Sequence, residues 1–300
     1  MLAGMPMGPA RRRLLADSAL FLVAVAWGLT FPLTKWILDA LPPFTYLTVR
    51  FALATLLLAP WAWRERRMAG GRTISLALLA GLFLGLGYAL QTVALQETSA
   101  GMAGFLTGLS VLLVPVFGIA LGRRTRRVEW WGVACATLGM GLLTLRGTEA
   151  PGFAEGLVFL CAVCFAFQIL TLGRVATEAP PLLLAWTQNG VVALICFCML
   201  PTERVTATPE PLVWIAIAGL AVVASALAFA VQSWAQRFTS PTHVGVLFAF
   251  EPVAAAAGGA LWLGERFSPA QWIGGVLILA GIVVANLEIG RVRSERGTPE

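Results

Sequence analysis

Charge is scarce in this 300-residue chain: 12% of positions are Asp, Glu, Lys or Arg, against 58% hydrophobic. A soluble domain carries roughly 25% charged residues, so this chain lacks the polar surface needed to face water. Histidine occurs once, at His243, and lysine once, at Lys35. No serine pairing or metal triad accompanies that histidine, and Gly108-Leu109-Ser110-Val111 lacks the closing glycine of a nucleophile elbow. No P-loop or dinucleotide fingerprint is present, which argues against ATP-driven transport and redox chemistry. Rings of repeated charge and filter-like loops, the marks of a channel, are missing too. The five cysteines (Cys135, Cys161, Cys164, Cys196, Cys198) all fall in apolar runs. Cys161 and Cys164 have a metal-like spacing but no second ligand pair, so they read as packing residues. Neither an enzyme nor a cofactor is expected.

What the chain has in abundance is long apolar runs. Ten recur, near 17–37, 43–61, 74–95, 100–121, 130–147, 154–174, 181–200, 211–235, 240–263 and 268–289. Each is long enough to cross roughly 30 Å of hydrocarbon as a helix. The connections between them are too short to hold a soluble domain. Arg11, Arg12 and Arg13 ahead of an apolar run ending in Ala24-Val25-Ala26 also resemble a cleavable signal peptide. The apolar pattern continues past Ala26, however, and a later equivalent at 154–174 favours a span. The fold expected is an all-α, multi-pass protein of the inner membrane, with the lipid bilayer as its surroundings.

Arginine placement sets an orientation. With ten spans and a cytoplasmic N-terminus, sixteen arginines fall in inner segments and three (Arg146, Arg204, Arg266) in outer loops. That bias is what the positive-inside rule uses, and it places both ends in the cytoplasm. The net charge of +6 therefore reports topology rather than a nucleic-acid partner.

The chain also repeats itself. Gln91 to Ser99 matches Gln232 to Ser240 at Gln, Ala, Thr and Ser, about 141 residues later. Trp130-x-Gly132 and Gly139 match Trp272-x-Gly274 and Gly281 at about 142, and Gly81-Leu82 matches Gly219-Leu220 at about 138. Five spans per copy is an odd number, so the second copy enters the membrane upside down. The basic loops at Arg64–Arg72 and Arg123–Arg127 have counterparts at 201–210 and 264–269 with one arginine each. This is the pattern of an inverted-topology repeat. The expected organisation is a tail at 1–16, repeats at 17–147 and 154–289, and a tail at 290–300.

Four stretches stand out: Trp27-Gly28 with Phe31 and Lys35, then Arg50-Phe51, then Thr98 through Leu106 to Pro115, then Glu251-Pro252 through Leu263-Gly264-Glu265-Arg266 to Gln271 and Gly274-Gly275. In these the chain resembles, over nearly its whole length, the EamA-type members of the drug/metabolite transporter superfamily. The first half departs from it, with Gly122-Arg123-Arg124 where the second has Gly-Glu-Arg. The resemblance implies a secondary transporter that exports an amino acid or related metabolite by alternating access. It also implies a cavity between the halves and peripheral fifth and tenth helices. An uncoupled facilitator and an amphipathic-drug exporter stay open, as does the oligomeric state, a homodimer included.

Candidate site residues follow from the cost of polarity in lipid. An ionisable group at mid-bilayer depth costs at least about 2.5 kcal/mol and usually faces a cavity or a partner. Glu251 is the only acid well inside a span and Arg50 the only arginine so placed. Glu251 is the candidate proton site. Arg50 is either a substrate contact or a tie between helices, and the two residues are close enough in depth to pair. Pro252 and Pro115 occupy nearly corresponding places and read as paired helix breaks. Gln91, Gln168, Gln188 and Gln232 either hydrogen-bond neighbouring helices, at about 0.6 kcal/mol each, or line a wet cavity. Trp27, Thr30 and Thr34 share a face of the first span as a semi-polar wall, which Tyr88 and Trp234 either extend or simply pack beside. Lys35 reads as snorkelling to the interface. Gly81 and Gly85 form a small-xxx-small pattern for close helix packing. Ser268-Pro269-Ala270-Gln271 reads as a helix start.

Overall fold

The computed structural model describes residues 8–98, 100–144, 152–205, 208–263 and 268–294. Among them all regular structure is helical. The first half holds α1 (Pro9–Leu38), α2 (Pro43–Glu65), α3 (Gly71–Ala94), α4 (Ala100–Gly108), α5 (Ser110–Ala120) and α6 (Arg127–Thr144). The second holds α7 (Phe153–Val175), α8 (Pro181–Met199), α9 (Pro211–Leu220), α10 (Ala228–Ala235), α11 (Pro241–Phe248), α12 (Glu251–Leu263) and α13 (Pro269–Ser294). A π-helical stretch, Ala221–Leu227, joins α9 to α10.

Proline marks the helix starts. Pro43, Pro181, Pro211, Pro241 and Pro269 each open a helix, where a missing N–H costs nothing and φ is already helical. The helices outrun the apolar runs at both ends of the chain, α1 beginning at Pro9 and α13 reaching Ser294. Backbone hydrogen bonding does not need apolar side chains, so a helix can continue past the apolar stretch.

Among the described residues, seven helical stretches are long and apolar enough to cross a bilayer, from Ala10–Leu38 to Pro211–Ala235. The other three runs expected as spans hold α6, α11 with α12, and α13. Gly264, Glu265, Arg266 and Arg146 lie outside the described residues. The surface is apolar: Leu22, Leu56, Leu138 and Ile215 are exposed, whereas Arg50, Gln188, Asn189, Ser225 and His243 are buried. Polar groups turned inward beneath an apolar coat are the distribution a lipid solvent requires.

Packing exchanges the two halves. α6 lies against its counterpart α13, and α2 against its counterpart α8. α1 packs on α12 as α7 packs on α5, and α3 meets α7 as α10 meets α1. The α6–α13 contact shows the relation at atomic scale. A Cβ on Gly139 would fall 2.6 Å from the Gly274 carbonyl oxygen, and one on Gly281 would fall 2.7 Å from that of Gly132. Residue numbers rise along one helix as they fall along the other, so the helices cross antiparallel. The two contacts also exchange under a two-fold rotation. Only glycine permits that approach, and without a hydrophobic drive in lipid such close packing is what holds helices together. Gly81 acts similarly between α3 and α8, where a Cβ would meet Gln188 Cα at 3.1 Å and Val191 Cβ at 2.9 Å.

Candidate functional site

Two helices are interrupted in corresponding places. The first break is a single residue, Leu109, between α4 and α5, and the second is Ala249–Phe250, between α11 and α12. Pro252 occupies the second position of α12, just past its break. Pro115 instead lies inside α5, six residues beyond Leu109. The paired breaks expected at the two prolines therefore fall at Leu109 and Ala249–Phe250, with proline adjoining only the second. The residues flanking them, Thr107 and Ser110 in one half and Phe248 and Glu251 in the other, face a common cavity.

The non-atom space of that cavity, open solvent at its mouth included, is about 520 Å³. Its wall is built from repeat equivalents. From α1 and α7, at an offset of 138, come Trp27 with Phe165, Thr30 with Gln168 and Phe31 with Ile169. From α3 and α10, at 141, come Tyr88 with Phe229 and Gln91 with Gln232. The breaks supply Thr107 with Phe248 and Ser110 with Glu251, also at 141. The remaining lining residue, Leu84, has Ser225 as its counterpart. The cavity thus straddles the relation between the halves. Ser110 and Glu251 form the one lining pair that differs in charge.

The amides form two sets. Gln91 Nε2 donates to Thr107 Oγ1 at 2.9 Å. Gln168 Nε2 donates to Gln188 Oε1 at 2.7 Å, and Gln232 Nε2 to Gln168 Oε1 at 3.2 Å. Gln188 is fully buried, anchors Gln168 from behind and does not itself line the cavity.

Arg50 is held as a tie. Its Nε donates to Ser225 Oγ at 2.8 Å, Nη1 to Tyr46 Oη at 2.9 Å and Nη2 to the Ala224 carbonyl at 3.3 Å. Its guanidinium also lies 5.2 Å from the Phe51 ring centroid and 5.4 Å from that of Tyr88. The π turn explains the acceptor. A wider helical turn leaves carbonyls under-used, and that of Ala224 accepts Trp27 Nε1 at 2.9 Å as well as Arg50. No ion pair joins Arg50 to Glu251. Arg50 borders a smaller neighbouring cavity of about 260 Å³, which shares Thr30, Phe31, Tyr88 and Gln91 with the main one. Thr34 lines only the smaller one, where its hydroxyl meets Tyr46 Oη at 3.1 Å. Trp234 lines neither; its ring packs on Phe238, with centroids 5.4 Å apart.

Glu251 opens α12 and lines the main cavity, and its carboxylate forms no hydrogen bond or ion pair with the described residues. A helix N-terminus favours a negative charge there. Its backbone sits hard against α1, since a Cβ on Gly28 would fall 2.3 Å from the Glu251 carbonyl oxygen.

The two ends of the cavity differ. Towards the N-terminus of α1, Phe21 and Phe250 touch with centroids 4.5 Å apart. Asp17 faces buried His243 at 3.4 Å and Arg13 at 3.8 Å, and Ser240 donates to Glu129. Towards the C-terminus of α1 lies the smaller cavity. Beyond it Glu155, the repeat equivalent of Asp17, accepts from Thr98 Oγ1 at 2.6 Å. Lys35 does not snorkel away but donates to the Thr98 carbonyl at 2.7 Å.

Sequence reasoning missed Ser110, Thr107, Phe31, Leu84, Phe165, Ile169, Phe229 and Phe248. Adding the repeat offset to the residues already chosen would have found Phe165 from Trp27, Phe229 from Tyr88 and Ser110 from Glu251.

A helical membrane protein of two copies with a cavity between them has the architecture of a transporter. The model for the EamA-like transporter family matches residues 14–145 and again 152–287, and the chain belongs to that family. The chain is 29% identical over 285 residues to an uncharacterized transporter of Archaeoglobus fulgidus, covering 93% of this chain and 88% of the relative. It is 28% identical over 273 residues to the uncharacterized inner membrane transporter YedA of Escherichia coli, covering 89% of each. The threonine/homoserine exporter RhtA of Salmonella typhimurium is 28% identical over 247 residues, covering 80% of this chain and 79% of that protein. A solved crystal structure superposes with a TM-score of 0.75 at 21% identity, over 92% of this chain and 98% of that one. That last likeness bears on the fold alone.

Proposed function

We propose that this protein is a secondary transporter that exports a small metabolite, an amino acid or related compound, across the inner membrane by alternating access. In this reading the chain crosses ten times with both ends in the cytoplasm. Trp27, Thr30, Tyr88, Gln91, Gln168, Gln232 and Glu251 contact the substrate, and Glu251 carries the coupled proton. Arg50 and Gln188 hold that wall in place.

The observation that carries the reading is a cavity lined by repeat-equivalent pairs from two copies of one unit. Two copies in opposite orientation supply two near-degenerate packings, and exchanging them would open the cavity to one side and then the other. Asp17 meets His243 at one end and Glu155 meets Thr98 at the other, the contacts that such an exchange has to make and break. The relatives named inner membrane transporter and exporter support both the location and the direction.

The test is efflux of a metabolite panel from proteoliposomes, wild type against Glu251→Gln, with and without an imposed pH gradient. Gradient-driven efflux that loses its response in the variant supports proton exchange at Glu251. Equal efflux by both proteins under either gradient would instead make the protein an uncoupled facilitator. No efflux of any compound would overturn the export reading.

A further inference from the structure

We propose that the substrate binds as an organic ammonium: a primary or secondary amine on an apolar, preferably aromatic, body with no carboxylate of its own. This rests on the transporter reading above and, of the amino acid or related compound named there, selects the related compound, an amine without the carboxylate.

The charge inventory of the cavity comes first. Glu251 is its only charged lining residue, and its carboxylate has no partner among the described residues. A desolvated carboxylate gains most from a cationic donor, since charge-assisted hydrogen bonds are roughly twice as strong as neutral ones. An anionic group placed beside it would be repelled in the same low dielectric.

The one cation nearby does not line the main cavity. Arg50 is 2% exposed, and three of its five N–H groups donate to Ser225, Tyr46 and Ala224. Tyr88, whose ring lies 5.4 Å from the guanidinium, is shared by both cavities and stands at their junction. A zwitterion needs two opposite charges, and the main cavity presents Glu251 alone.

The wall supplies the rest. Trp27, Phe31, Tyr88, Phe165, Phe229 and Phe248 give the cavity six aromatic side chains. Aromatic faces attract a cation and pack against an apolar body without specific bonds. Ser110, the uncharged counterpart of Glu251, adds a hydroxyl to the same wall. Together these make a negative point in an aromatic chamber, which is a receptor for an amine.

The decisive experiment measures binding of four probes sharing one phenyl-ethyl body to the protein in lipid nanodiscs. They are 2-phenylethylammonium, 2-phenylethanol, 3-phenylpropanoate and phenylalanine. The ammonium is expected to bind about tenfold or more tighter than the alcohol, an advantage of about 1.4 kcal/mol. The carboxylate and the zwitterion should bind more weakly than the ammonium. In Glu251→Gln the advantage of the ammonium over the alcohol should disappear. Equal or tighter binding of the alcohol, carboxylate or zwitterion overturns the proposal, and so does failure of all four to bind. An advantage that survives in a folded Glu251→Gln overturns it as well. If that variant does not fold, the wild-type ranking decides alone. Flux of the same probes through proteoliposomes separates the two readings. An ammonium bound but never carried sinks the transport reading and leaves the amine site standing. Flux of phenylalanine in preference to the amine does the reverse.

Discussion

Gly28→Ala tests the geometry that brings α1 to the site. A Cβ on Gly28 would sit 2.3 Å from the Glu251 carbonyl oxygen, 2.6 Å from Ala254 Cβ and 2.9 Å from Ala255 N. Two of these are backbone atoms, so no rotamer change relieves the clash. Ordinary contact begins near 3.4 Å, so α1 and α12 must part by about 1 Å. Forcing a methyl into a packed contact typically costs 1–3 kcal/mol, and the lack of a flexible neighbour puts this case near 3 kcal/mol. The separation also moves Trp27 and Thr30 away from Glu251, so any ligand contacting both loses affinity. Gly219→Ala is the control. It also sits in a helix, nothing lies within 4 Å of its added Cβ, and it should gain up to about 1 kcal/mol from helix propensity. Equilibrium unfolding by SDS in lipid–detergent micelles reads both. If Gly28→Ala falls within about 0.5 kcal/mol of Gly219→Ala, the close approach of α1 to Glu251 is wrong.

Four further substitutions follow from the packing. Gly139→Ala and Gly281→Ala should each destabilise by about 1–3 kcal/mol, and to a similar degree, because their contacts are two-fold mates; a large difference in the same unfolding assay would break that relation. Arg50→Lys should cost about 3 kcal/mol, since an ammonium cannot serve Ser225, Tyr46 and Ala224 together; an unchanged unfolding midpoint would free Arg50 for a role with substrate. Asp17→Asn removes the acid facing His243. It should raise maleimide labelling of a cysteine at buried Ala24 about fivefold, in a background without the native cysteines, if the pair contributes about 1 kcal/mol to closure. Unchanged labelling would show that this pair closes nothing.

The legible part of the site was the part that costs energy to hide. Glu251, Gln91, Gln168 and Gln232 stand out because a polar side chain in an apolar run needs a reason, and all four reach the cavity. The same logic found Arg50 and Gln188 but could not tell lining from tie, because that depends on where neighbouring carbonyls and hydroxyls lie. Nothing in Ala221–Leu227 marks it as a π turn, and that turn is what presents Ala224 and Ser225 to Arg50. The phenyl walls were silent because Phe165, Phe229 and Phe248 look like ordinary packing in a chain where 58% of residues are hydrophobic. Proline misled at Pro115, because an α-helix can carry a proline without stopping while tertiary contacts place the actual interruption elsewhere.

Ser110 and Glu251 also bear on how such a chain arises. Were the repeated unit a separate gene product, two identical subunits would face each other and every lining residue would occur twice. The site would then hold two carboxylates, whose mutual repulsion in a low dielectric is severe, or two serines and no charge at all. Joining the copies in one polypeptide frees each to drift on its own. A single negative charge on a nearly symmetric wall is a state closed to identical subunits and open to copies that have diverged.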